Sequence, residues 1–335
     1  MAATVLAIGW VVAHQMSLPV WWPFAGDSKS VLEPSKDDLT AAARNAVLKE
    51  PAAAVQRKKE EAVRKRDPIA ALAPGSGRSA RHRLTDGSPC PFCPEMVAVP
   101  AGRFIMGSAI EAARYSDEAQ EPISIGAAFA VGRFAVTFDE WDACVADGAC
   151  NGYKPGDEGW GQGMHPVINV NWIDAKMYAS AWFSRKTGKS YRLLSEAERE
   201  YVTWVGTTTP FWWGSSISPA EANYNGSAEP YKGFGSKREY RRHTVPVDSF
   251  QPNPWGLYNV HGNVWEWTED CWNDSNRGIP SDGSARTKGY DCSRRVVRGG
   301  CWNLDPEFLR SAYRSADSAV GRRHNVGFRV ARTLP

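Results

Sequence analysis

The sequence predicts an α+β domain, rich in turns with short strands and a few helices, preceded by an apolar N-terminal helix and a charged tether. Three observations carry this expectation. First, 15 Trp, 30 Gly and 22 Pro in 335 residues describe a globule closed by packed aromatics and tight turns rather than by long helices. Second, short apolar runs bounded by Gly and Pro alternate with segments that open on a helix-capping signature. Third, the Cys fall into near-neighbour pairs, Cys90 with Cys93, Cys144 with Cys150 and Cys271 with Cys292, leaving Cys301 over. At this length one large domain with an appendage is expected, and a net charge of +3 is too weak to argue for nucleic acid.

Residues 1–26 read as a membrane anchor or uncleaved signal. Residues 2–25 carry no Asp, Glu, Lys or Arg and end near Trp21-Trp22, which suits an apolar span with an interfacial belt. A cleaved signal after Val11-Val12-Ala13 and a buried soluble helix are the alternatives. Lys29 and Lys36 on the far side favour a cytosolic domain, but Asp27, Glu33, Asp37 and Asp38 dilute that bias. The paired Cys favour an oxidising, periplasmic or otherwise extracytoplasmic side, and this signal is given precedence. Residues 27–88 read as the tether. Its basic run Arg57–Arg66 pairs Glu60 with Arg64 and Glu61 with Lys65 at helical spacing, a solvated helix or a contact for an anionic surface. Ala73-Pro-Gly-Ser-Gly-Arg-Ser79 reads as a flexible joint.

The domain proper is expected over 89–335. Residues 95–108 look like a hairpin turning at Pro100-Ala-Gly102, and 129–136 like a further strand. Thr137 and Glu140 form a capping box for a helix that holds Trp141 and Cys144. After a strand-like 166–170, a helix starting at Asp174 places Met177, Tyr178, Ala181 and Trp182 on one face. Ser195 and Glu198 open a third helix. A zinc site at Cys90 and Cys93 is the alternative to a disulfide there. Leu257-Tyr-Asn-Val-His-Gly-Asn-Val-Trp-Glu-Trp267 has neither strand alternation nor a helical stripe and reads as an irregular loop. It is either an aromatic corner that packs, or a turn whose carbonyls and amides suit a hard cation.

Several stretches taken together resemble the formylglycine-generating enzyme, or sulfatase-modifying factor, family, which has a C-type-lectin-like fold. They are Val97–Ser108, Val167–Trp172 with Ala175, Tyr191–Glu198, Gly256–Trp267, Arg298-Gly-Gly-Cys-Trp302, Arg310–Arg314 and Gly327-Phe-Arg329, in order across about 93–332. Leu194 and Arg199 depart from the family's usual Pro and Trp, touching a turn and a packing position. The resemblance implies a calcium ion on the 257–267 loop, held by the Asn259 side chain and the backbone oxygens of Val260, Gly262 and Val264. A second calcium site would lie around Asn223 and Tyr224, where Arg241 opposes it.

The same resemblance implies no oxidase centre. The activating enzymes hold copper between two thiolates after the RGG motif, and here those places carry Leu304 and about Leu309, which cannot ligate a soft metal. Iron is not implied either, because the iron-binding relatives draw histidines from an extra helical domain and the tether has only His82. Cys301 stands where the activating enzymes present a serine, with Trp302 beside it and Trp265 lining the pocket. It is either a lone reactive thiol or a buried small hydrophobe, and His261 and His324 are the candidate bases. The expectation is therefore a membrane-tethered accessory or maturation protein for a protein partner or membrane complex, with a metal-dependent oxidoreductase using Cys301 as the rival.

Overall fold

The structure, a computed structural model, describes residues 54–58, 61–62, 66–109, 117–233, 239–288 and 291–335. The expected anchor at 1–26 and Lys59, Glu60, Arg64 and Lys65 of the basic run lie outside the described residues. Two units are present, Met1–Gln56 and Arg57–Pro335. Of the first, only 54–56 are described, and they are helical and exposed. Among the described residues no helix is long and apolar enough to cross a membrane.

In the second unit the described strands form three sheets. The largest runs β1 (Ser79–Ala80), β2 (Met96–Val99), β5 (Phe129–Gly132), β11 (Val330–Thr333), β6 (Arg192–Leu193), all antiparallel. The next is β10 (Val326–Phe328), β7 (Trp265–Trp272), β8 (Asp291–Arg298), β9 (Arg314–Ser318), with β10 parallel to β7. A separate ribbon pairs β3 (Gly102–Met106) with β4 (Glu121–Ile125). Strands β2 and β5 are buried throughout because the sheet is covered on both faces. Met96 and Ala130 enter one core cluster, while Val97, Val99, Phe129 and Val131 enter another. That is why both read as unbroken apolar runs.

Two helices start where the capping signatures place them, and a third starts two residues earlier than expected. In α1 (Phe138–Ala146) the Thr137 side chain accepts from the Glu140 N–H and the Glu140 carboxylate accepts from the Thr137 N–H. Asn171, not Asp174, caps α2 (Trp172–Lys176); Asp174 is the returning carboxylate of that box. A π-helical stretch, Met177–Phe183, continues the helix into α3 (Ser184–Thr187), which ends at left-handed Gly188. Its wider turn shifts the buried face to Tyr178, Ala179, Trp182 and Phe183, so Ala181 is exposed and Met177 half-buried. Helix α4 (Glu196–Trp204) is buried along its whole length.

Several expectations are corrected by long-range pairing. Residues 95–108 do not form a hairpin: β2 pairs with β1 and β5, whereas β3 pairs with β4. The 129–136 strand stops at Gly132, and 166–170 contributes only an isolated bridge from Pro166 to Thr137. The 257–267 stretch is irregular only to Val264, since Trp265 opens β7. The tether drawn to residue 88 is shorter, because β1 joins the main sheet and the Asp67 carboxylate takes two bonds from Arg332 in β11, 2.7 and 2.6 Å. The expected joint at 73–79 stays at the surface but is tied to β2, where the Gly75 N–H donates to Ala98 O at 2.8 Å.

The Cys pairs are disulfides as expected, Cys90–Cys93, Cys144–Cys150 and Cys271–Cys292, which removes both sulfurs of the zinc alternative. Two of them close short segments, and Cys271–Cys292 ties the paired strands β7 and β8.

Burial pushes the Glu140 carboxyl up to about 7 against the pull of its Thr137 hydrogen bonds. A folded value above the ordinary 4.5 means that the folded chain holds an extra proton between these limits. This contribution is full below about pH 4.5 and lost as pH rises to about 7. Glu140→Gln should flatten that segment of a stability-versus-pH curve and melt higher than the parent at pH 8; an unchanged curve would contradict the shift.

Candidate functional site

The 257–264 loop rests on a buried ionic hub. The Glu266 carboxylate, the second residue of β7, accepts from Arg199 Nε at 2.7 Å and from Arg329 Nε and Nη2 at 3.1 and 2.9 Å. All three side chains are at most 2 % exposed. Burial raises the Glu266 carboxyl, but the two guanidiniums outweigh it and hold the group below its usual range. The remaining N–H groups of the arginines bind backbone carbonyls and one hydroxyl: Arg199 reaches Val260 O at 3.0 Å and the Thr203 hydroxyl, and Arg329 reaches Gly132 O, Arg133 O and Tyr258 O at 2.7–2.8 Å. Arg199 therefore does more than fill a packing position; it ties α4 to the loop.

Above the hub the chain turns sharply. A Cβ on Gly262 would lie 2.4 Å from Asn223 O, so this position accepts glycine alone. Asn263 has a positive φ of 68°, and its amide satisfies Val245 N–H and Val245 O at 2.9 and 3.0 Å while accepting from Asn223 Nδ2. Asn259 donates from Nδ2 to Val247 O at 2.7 Å, and its Oδ1 is buried with no hydrogen-bond partner. Asn223 Oδ1 is unpartnered in the same way, its Nδ2 donating to His243 O at 2.9 Å. Two orphaned amide oxygens fit a hard cation. Val260 O fits less well, because Arg199 already donates to it. Arg241 is turned to Glu239 at 2.9 Å and to Pro219 O at 3.0 Å.

Cys301 is fully buried, in the same core cluster as Val264 and Trp265. Its Sγ lies 3.0 Å from Asn303 Oδ1, a contact that needs the S–H, and Asn325 Nδ2 donates to the sulfur at 3.5 Å. Burial pushes the thiol up to about 12, so it is neutral at physiological pH. Neither candidate base reaches it by a hydrogen bond. His261 donates from Nδ1 to Leu309 O at 2.7 Å and accepts the Trp212 N–H on Nε2 at 3.2 Å, and burial pushes it down to about 3. His324 instead packs against Trp302, ring centroids 5.6 Å apart, and against Trp160 at 5.9 Å. Trp302, 7 % exposed, meets Trp160 edge-on at 5.2 Å and lies nearly parallel to Tyr240 at 6.2 Å. Trp265, in the same core cluster as Cys301, packs against Tyr313 with ring centroids 6.1 Å apart.

The structure thus brings Cys301 and Trp302 to one wall, with Asn303, Asn325, Trp160 and Tyr240, which sequence reasoning missed because they come from four separate segments. Leu309 is buried and packs on Gly300, where a Cβ would lie 2.7 Å from it, and half-buried Leu304 bridges two core clusters. Among the described residues no three His, Cys, Asp or Glu are grouped to hold a metal ion. The wall offers aromatic surface and amides over an enclosed, protonated thiol, which suits binding rather than nucleophilic attack.

A sequence model of the family described as "Sulfatase-modifying factor enzyme 1-like domain" matches residues 83–334. A formylglycine-generating enzyme from Bos taurus is 35% identical over 176 residues, 50% of this chain and 44% of that protein. Serine/threonine-protein kinase pkn1 from Chlamydia caviae is 34% identical over 174 residues, 51% of this chain and 25% of that protein. The chain therefore spans less than half the length of these two relatives. The solved structure of PvdO from Pseudomonas aeruginosa is similar with a TM-score of 0.66 and 37% identity, covering 78% of this chain and 100% of that one.

The neutral, enclosed thiol predicts a titration result. A thiol reagent should find no reactive sulfur in the folded protein at pH 8 and one per chain after unfolding without reductant. Fast labelling of the folded protein would contradict the burial of Cys301.

Proposed function

Because the chain belongs to the sulfatase-modifying factor enzyme 1-like domain family, we propose that it is a binding or maturation subunit for a partner protein or membrane complex, and not a formylglycine-forming oxidase. The observation that carries this reading is the pair Leu304 and Leu309. The resemblance puts two copper-binding thiolates at these places, and apolar, packed side chains there leave a soft metal without ligands. Protonated Cys301, with amide neighbours and no base in reach, supports the same reading. The aromatic wall of Trp302, Trp160 and Tyr240 supplies the surface a partner would cover. Residues 2–25 would anchor the domain, and three disulfides favour the extracytoplasmic side.

The test pairs two measurements on the full chain. Incubation with copper and a sulfatase-type cysteine peptide should yield no formylglycine, and a partner co-purifying with the parent should remain with Cys301→Ala. Formylglycine formation, or copper bound by the parent and lost in Cys301→Ala, would establish the oxidoreductase instead.

Calcium is proposed for the loop, held by the Asn259 side chain with the backbone oxygens of Val260, Gly262 and Val264. Buried, unpartnered Asn259 Oδ1 supports this assignment. The ion would supply charge that fixes the turn, and no chemical step is assigned to it. Chelation should lower Tm by on the order of 5 °C, and Asn259→Ala should abolish the difference. Equal melting with and without chelator in the parent would leave the loop to Arg199 and packing alone.

A further inference from the structure

A cleft of about 560 Å³ opens between the β3–β4 ribbon, the end of α4 and the 310–312 segment, away from the Cys301 wall. Neither Cys301, Trp265 nor Trp302 lines it. The size is in the range of small-molecule sites. Its apolar surface comes from Phe104, Ile105, Trp204, Pro210, Tyr231 and Ala312. Ile105 is 52% exposed at the edge of the cleft, a large aliphatic side chain that the fold leaves uncovered.

The polar groups of the cleft sort themselves by what they already bind. Trp204 gives its indole N–H to Glu200 at 2.8 Å, so it offers the cleft hydrocarbon. The Thr207 hydroxyl donates to Trp204 O at 2.8 Å. The Arg310 guanidinium is neutralised by two bonds to the Glu118 carboxylate, 2.8 and 2.6 Å. Arg103 differs: it is exposed on β3, it lines the cleft, and it makes no hydrogen bond or ion pair among the described residues. Among the described residues the cleft therefore combines aromatic and aliphatic walls with one uncompensated cation.

We propose that this cleft binds an apolar organic anion, an aromatic or branched-alkyl body bearing one carboxylate or sulfonate, with Arg103 pairing the anionic group. The argument is charge complementarity plus desolvation. Phe104, Trp204 and Ile105 gain by covering an apolar body, whereas a cation would meet Arg103 and a neutral body would leave it without a counter-ion. This site is independent of the accessory-subunit reading, since it shares no wall with Cys301.

The probe is 8-anilinonaphthalene-1-sulfonate, compared with neutral N-phenyl-1-naphthylamine, in fluorescence titrations of the full chain. The sulfonate should saturate. Arg103→Gln should weaken it about tenfold while changing the neutral probe less than about twofold, and Arg103→Lys should keep most of the affinity. Ile105→Asp should weaken both probes. Both positions are exposed, so parental melting curves will verify that the variants fold. Absence of saturable sulfonate binding, or equal sulfonate affinity in the parent and Arg103→Gln, would overturn the assignment.

Discussion

The Glu266 carboxylate, held between Arg199 and Arg329, is the interaction on which the rest of this domain depends. It joins β7, α4 and the β10–β11 corner at one buried point, and its two guanidiniums use their other N–H groups to bind carbonyls at 132, 133, 258 and 260. A buried carboxylate flanked by two cations is favourable only while every donor is satisfied, so the hub selects a single backbone path for the loop above it. Removing the carboxylate would strand two buried charges. The loop's irregular shape follows from this anchoring and from the tight approach at Gly262.

The same logic governs the neighbouring charges of α4. Glu196 accepts from Arg314 Nε and Nη2 at 2.6 and 3.0 Å, and Glu200 binds Arg298. A helix written Glu-Ala-Glu-Arg-Glu would ordinarily face solvent. Here its acids and its arginine are each matched by a partner, Glu198 by Arg192 of β6 and the others by residues of β7, β8 or β9, and the helix is enclosed. The Arg298-Gly-Gly turn, next to that network, then delivers Cys301 to the core and Trp302 beneath half-buried Trp160 and Tyr240. An ionic scaffold sets the positions, while the wall it presents is made of neutral groups.

What could be read early follows short-range physics. The capping boxes at Thr137 and Ser195 and the disulfides Cys90–Cys93 and Cys144–Cys150 each depend on residues a few positions apart, Cys271–Cys292 joins residues 21 positions apart, and the structure carries them all. The errors concern partners far along the chain. Residues 96–99 and 102–106 look like one hairpin because they are adjacent, yet β2 is taken by β5 and β3 by β4. The π-helical stretch rotated a stripe that ideal helical spacing had assigned to Ala181.

By itself, then, the sequence determined the family, the helix starts at Thr137 and Ser195, the disulfide pairs, the unpaired Cys301 and the apolar residues at 304 and 309, since all of these are properties of residue identity and spacing along the chain. Only the tertiary structure decided that Arg199 is an ionic hub, that His261 and His324 are engaged away from Cys301, and that Arg103 faces a cleft without a counter-ion. Charge pairing and burial join residues more than sixty positions apart, as Arg199 with Glu266 and Glu118 with Arg310, and no local pattern in the chain encodes such distances.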